Sequence, residues 1–182
     1  MRRFCLSLLT VCLIMLSACD SDTTGRYANL RAFFRFSPVS SAPVLQQALY
    51  NPGTYCKITF TSQYYIFTNA QGQTSQANRT AQDAYGRPVY VSGFVVGLSS
   101  MTDRNGQFLL QAFDLVCPNC YVDAAIQRSL DFSSSDSEML VCSRCQRTYN
   151  LRNEGIVSSG SQGRPLFLYP ISLAQDAVLI SN

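Results

Sequence analysis

The chain has 182 residues with 14 basic and 11 acidic side chains, a formal net charge of +3 and no histidine. The missing histidine excludes Ser-His and Cys-His nucleophilic catalysis, His-ligated zinc hydrolysis and any His-ligated iron–sulfur centre. One lysine, Lys57, and scattered arginines do not make the basic stripe that nucleic-acid binding requires, so no nucleic-acid partner is expected.

Residues 1–18 read as a secretory signal: Arg2 and Arg3, an apolar run from Phe4 to Leu16 broken only by Ser7 and Thr10, then small residues before Cys19. The run is too short for a membrane span. Leu16-Ser17-Ala18-Cys19 resembles the bacterial lipobox, which implies that Cys19 is the lipidated first residue of the mature protein. The alternative is an ordinary secreted protein in which Cys19 is incidental. Lipidation places a domain on a membrane face in the cell envelope, periplasmic or surface-exposed, with the lipid anchor as its membrane contact. Residues 19–29 are polar and aperiodic, as a flexible tether is. Loss of Arg2 and Arg3 leaves a near-neutral domain over residues 30–182, long enough to build its own core.

Within that domain, high tyrosine and phenylalanine content with few charges predicts an all-β fold with one short helix. Ala32-Phe33-Phe34-Arg35-Phe36 is a first strand that stops at Pro38, its phenylalanines assigned to the core. Pro43 to Tyr50 carries Val44, Leu45, Ala48 and Leu49 at helical spacing after a proline start. Cys56, Ile58 and Phe60 then alternate with Tyr55, Lys57 and Thr59, the pattern of a half-buried strand, with Cys56 as a buried structural thiol. Tyr64 to Thr68 forms another strand, and the polar stretch from Asn69 to Asp83 reads as a long exposed loop. Val89–Leu98 and Gln107–Val116 are strand runs around Asp103-Arg104-Asn105-Gly106, a hairpin signal. Asp131, Asp136 and Glu138 lie in serine-rich surroundings and are read as a solvated loop. Pro165 to Leu173 and Ala177 to Ile180 form a closing pair.

The chemistry concentrates in two knuckles, Cys117-Pro118-Asn119-Cys120 and Cys142-Ser143-Arg144-Cys145, 21 residues apart. Each ends a short β run, and both are read as lying in β turns. Four soft thiolates at one point select zinc or iron over magnesium or calcium, and the spacing is close to that of a zinc ribbon. Two readings compete with a metal: two disulfides in an oxidising compartment, or one CxxC acting as a thiol–disulfide exchanger. The latter requires a lowered thiol pKa, typically at a helix N-terminus.

A family resemblance follows from Ala112-Phe113-Asp114-Leu115-Val116-Cys117-Pro118, Leu140-Val141-Cys142, Tyr149-Asn150-Leu151, Glu154-Gly155, Pro165-Leu166 and Tyr169. Roughly residues 107–181 resemble the cluster-binding half of a Rieske domain, with residues 107–155 carrying the knuckles. The resemblance implies a small Rieske-like β sandwich with a zinc-ribbon-like metal-binding subdomain. In that family two cysteines and two histidines hold a two-iron cluster. Here Cys117 and Cys142 match the cysteines, Asn119 and Cys145 stand where the histidines belong, and Gln146 replaces the following glycine. The standard cluster is therefore excluded. The expected ligand set is Cys117, Cys120, Cys142 and Cys145, with structural zinc ahead of iron or a 2Fe-2S cluster. The corresponding function is a non-catalytic binding or accessory module with an envelope protein as partner. Iron-based electron transfer is the alternative, and a disulfide-stabilised or thiol-redox envelope protein a further one.

Overall fold

The computed structural model describes residues 27–79 and 86–182. The signal sequence and Cys19 lie outside the described residues. Alternating apolar runs build a six-stranded antiparallel sheet from β2 (Thr54–Phe60), β3 (Tyr64–Asn69), β4 (Thr74–Asn78), β5 (Phe94–Thr102), β6 (Phe108–Asp114) and β11 (Leu168–Tyr169), in the order β11-β6-β5-β2-β3-β4. A three-stranded sheet joins β1 (Phe33–Phe36), β13 (Ala177–Ser181) and β12 (Ile171–Ala174). A four-stranded sheet joins β10 (Ile156–Ser159), β9 (Thr148–Asn150), β8 (Met139–Val141) and β7 (Asp131–Phe132). Helix α1 (Pro43–Tyr50) starts on a proline, where a missing N–H costs nothing, and buries Val44, Leu45, Ala48 and Leu49.

The period-2 alternation of the central strands feeds two cores. Cys56, Ile58, Phe94, Val96 and Ala112 face Phe34, Phe36, Val178, Ile180 and α1 in the first. Their sequence neighbours Tyr55, Val95 and Phe113 face Leu140, Tyr149, Leu151 and the cysteine knuckles in the second. β2 is thus covered on both faces along part of its length, and Tyr55, expected on an outer face, is 1% exposed. Each fully buried large apolar side chain contributes about 1.5–3 kcal/mol, so the second core is a substantial reason for the knuckles to stay docked.

The fold is mostly β, as the composition predicts, but it differs from the sequence reading in three places. There are two α-helices among the described residues, not one: α2 (Pro118–Ala124) begins inside the first knuckle. The polar stretch after Asn69 is not all loop. It supplies β4, an edge strand whose alternating half-buried positions pair with β3 from Tyr64↔Asn78 to Thr68↔Thr74. The run from Val89 becomes a ladder strand only at Phe94, after Gly93, whose φ of +110° belongs to glycine and whose missing Cβ makes room for the Ile58 carbonyl. The Asp103–Gly106 turn closes the β5–β6 hairpin through Asp103 N–H to Gln107 O at 2.8 Å. Among the described residues no helix is long and apolar enough to cross a membrane.

Candidate metal centre

The first knuckle is positioned by the strand that precedes it. β6 ends at Asp114, a fully buried carboxylate that accepts N–H bonds from Val91 (2.9 Å), Ser92 (3.1 Å) and Val116 (2.8 Å). Burial pushes its pKa up against the pull of these three amides. Cys117 then donates its N–H to Arg128 O at 2.8 Å and caps α2, with Pro118 at the first helical position. The helix runs for seven residues and stops at Ala125 in the left-handed region (φ 53°), with Ile126 N–H bonded to Cys120 O at 3.0 Å. The expectation of a β turn at this knuckle is therefore corrected: Cys117 and Cys120 lie three apart on one helical turn, which turns both thiols the same way.

The second knuckle is a tight connection between β8 and β9. Cys142 N–H donates to Arg147 O and Gln146 N–H to Cys142 O, each at 3.0 Å. Gln146 adopts φ 59°, a left-handed conformation that glycine takes most readily. The β8–β9 pairing, with Val141 opposite Thr148, carries this knuckle to the first.

All four sulfurs lie within 4.8 Å of one another and form a group able to hold a metal ion. Cys117 and Cys145 Sγ are 3.6 Å apart, and Cys120 and Cys142 Sγ 3.7 Å. A tetrahedral zinc with bonds of about 2.3 Å requires sulfur–sulfur edges of about 3.8 Å, which these two separations approach. All four are free thiols, as is Cys56. Cys117, Cys120 and Cys142 are buried and Cys145 is half-buried. Burial, with the neighbouring thiols, raises the pKa of Cys120, and burial also raises that of Cys117. Cys145 moves the other way, to about 6: burial raises it, but the backbone N–H and side chain of Arg147 and the adjacent Cys142 and Cys117 thiols outweigh that. Four thiolates in such a place need a compensating cation, which a soft divalent ion supplies.

Sequence reasoning did not place Tyr149 against the sulfurs. Tyr149 is fully buried with its hydroxyl 3.1 Å from Cys117 Sγ. Asn119 Nδ2 donates to the Tyr149 hydroxyl at 2.9 Å and to Arg164 O at 3.1 Å, while its Oδ1 accepts from Arg164 N–H at 2.9 Å. The Asn119 side chain therefore points its amide at Tyr149 and the 163–165 segment, and Cys120 joins the sulfurs. Arg147 reaches the carbonyls of Ser161 (2.9 Å) and Gln162 (3.3 Å), tying the same segment to the second knuckle. Of the acidic residues read as a solvated loop, Asp131 is exposed, but Asp136 and Glu138 are not free in solvent. Glu138 is buried, accepting from Ser100 N–H (3.0 Å), Ser100 O–H (2.7 Å) and Arg152 Nε (2.5 Å). Asp136 pairs bidentately with Arg152, and Asp131 with Lys57 at 2.7 Å. In the sequence Tyr149 stands only in the Tyr149-Asn150-Leu151 run, with nothing to mark it as a sulfur partner, and nothing in a serine-rich stretch marks Glu138 as buried.

Cys56 stays apart from this group, in the first core, with its thiol donating to Lys57 O at 3.3 Å. No protein-family model matches the chain, and no curated protein matches it.

Proposed function

We propose that this chain is a membrane-tethered bacterial lipoprotein whose Rieske-like domain carries a structural zinc on Cys117, Cys120, Cys142 and Cys145, and that it acts as a non-catalytic binding or accessory module in the cell envelope. The observation that carries the reading is the convergence of four free thiols, three of them buried, all within 4.8 Å of one another and with two sulfur–sulfur separations of 3.6 and 3.7 Å. A four-thiolate set saturates a tetrahedral ion and leaves no position for substrate, so the ion would supply a cross-link between two loops. The residues do the remaining work. Tyr149 and Asn119 hold Cys117, and Arg147 offsets negative charge beside Cys145. The Rieske-like assignment rests on the motif order given above, and the lipid anchor on the signal sequence and Cys19.

Electron transfer by iron on the same four cysteines is the second reading. The Tyr149 hydroxyl on Cys117 Sγ favours it, because hydrogen bonds to ligand sulfur tune iron–sulfur potentials. A thiol–disulfide exchanger built on the first knuckle is disfavoured even though that knuckle opens a helix. Cys117 is fully buried, and its thiol pKa is raised, not lowered. Elemental analysis with an absorption spectrum separates these readings: zinc without colour supports the structural site, and iron with visible charge-transfer bands supports the carrier.

A further inference from the structure

The four thiols differ in access. Cys120 interacts with both Cys117 and Cys145 within the cluster, and two contacts that run from one knuckle to the other are Cys117 with Cys145 and Cys120 with Cys142. These separations of 3.6 and 3.7 Å exceed a bonded S–S length of about 2.05 Å by roughly 1.6 Å. Access singles out Cys145, which is half-buried behind exposed Ser143, Arg144 and Gln146, whereas its partner Cys117 is fully buried. An oxidant in solution meets Cys145 first, and Cys117 is the thiol in contact with it.

We propose that the site is an oxidation switch, in which a hydroperoxide converts the four thiolates into two inter-knuckle disulfides, Cys117–Cys145 and Cys120–Cys142, so that the bound ion is released. The switch rests on the metal-binding reading above. The Cys145 thiolate attacks the peroxide O–O bond, keeps one oxygen as sulfenic acid and expels the other as hydroxide or alkoxide. The Cys117 sulfur then attacks the Cys145 sulfur, forming the S–S bond and expelling hydroxide. Two protons from solvent neutralise the two leaving groups. Each disulfide thus consumes one hydroperoxide, and two electrons pass from the sulfurs to the peroxide. Cys120 and Cys142, left without their two companion thiolates, react by the same route with a second peroxide. Because both links join the knuckles, the oxidised protein keeps the second core closed, and a dithiol reductant restores the ligand set.

The test uses full-length protein loaded with zinc and titrated with hydrogen peroxide. Zinc release is followed with a colorimetric chelator, and cysteine connectivity is mapped by mass spectrometry without reduction. The expected result is one zinc released for about two equivalents of peroxide, peptides linked 117–145 and 120–142, reversal by dithiothreitol, and a Cys56 thiol that is still free. In Cys145→Ser, oxidation of Cys117 slows by about tenfold or more. Since that variant can fail to fold, connectivity in the unsubstituted protein decides. Links within a knuckle, an unlinked Cys145 sulfinic acid, or zinc retained with all four thiols intact would overturn the switch and leave the zinc site standing. Protein that takes up no zinc before peroxide is added overturns both.

Discussion

Tyr149 and Asn119 decide how the Cys117 sulfur is held, because the tyrosine hydroxyl sits on the sulfur and the asparagine amide sits on the hydroxyl. In Tyr149→Phe the amide and the sulfur both lose a partner. Losing a hydrogen bond to a ligand sulfur lowers metal affinity about 10- to 100-fold, which a competition titration with a chromophoric chelator measures. Zinc affinity unchanged in that variant would mean the hydroxyl does not bear on the site. Gly163 is the matching backbone position: a Cβ there collides with the Asn119 amide, so Gly163→Ala costs about 1–3 kcal/mol, read as a lower urea midpoint at unchanged slope. At this scale the sequence was most legible for the ligands. Soft thiols at CxxC spacing declare themselves, whereas a tyrosine in a strand has no pattern that separates a core ring from a sulfur partner.

Among the elements, the four-stranded sheet is fastened to the central one by Glu138, whose buried carboxylate joins Ser100 of β5 to Arg152. Arg152 also holds Asp136, and that bidentate bond, against the smaller opposing effect of burial, lowers the Asp136 pKa below its ordinary 3.8. A depressed carboxyl stabilises the fold above its unfolded pKa and loses that contribution as pH falls through the folded value. Asp136→Asn is therefore expected to cost about 1 kcal/mol at pH 7, a modest figure because the pair is partly exposed and screened. The difference from the unsubstituted protein closes on acidification below pH 3.8, checked by denaturant melts across the acid range. A gap that stayed constant with pH would contradict the ion-pair account. Periodicity was enough to place α1 and the strands that alternate strongly, such as β2. It was silent on α2, seven residues with cysteines in the first turn, and on β4, whose Thr74-Ser75-Gln76-Ala77-Asn78 is too polar to read as a strand. Both take their structure from what they pair with or pack on, not from local propensity.

For the whole molecule, the consequence of the two-core arrangement is that the knuckles belong to the fold. Cys117, Cys120 and Cys142 are members of the second core, packed with Tyr55 and Phe113 from the central sheet. If an ion cross-links them, stripping it with a chelator loosens that core while the first, built on α1 and the three-stranded sheet, keeps its contacts. A loss of about 3 kcal/mol corresponds to a fall in Tm of about 6–12 °C in a domain of this size, reversed when zinc is returned. The all-β character was readable from composition, but the burial of the central sheet on both faces was not, because Tyr55 and Lys57 look like an outward face until the cysteine-bearing excursion is folded over them. A structural zinc on the four thiolates is tested by elemental analysis and an absorption spectrum of the full-length protein as purified. About one zinc per chain and no visible absorption are expected. Iron with charge-transfer bands, or metal-free protein whose four knuckle cysteines carry no free thiol, would contradict a structural zinc.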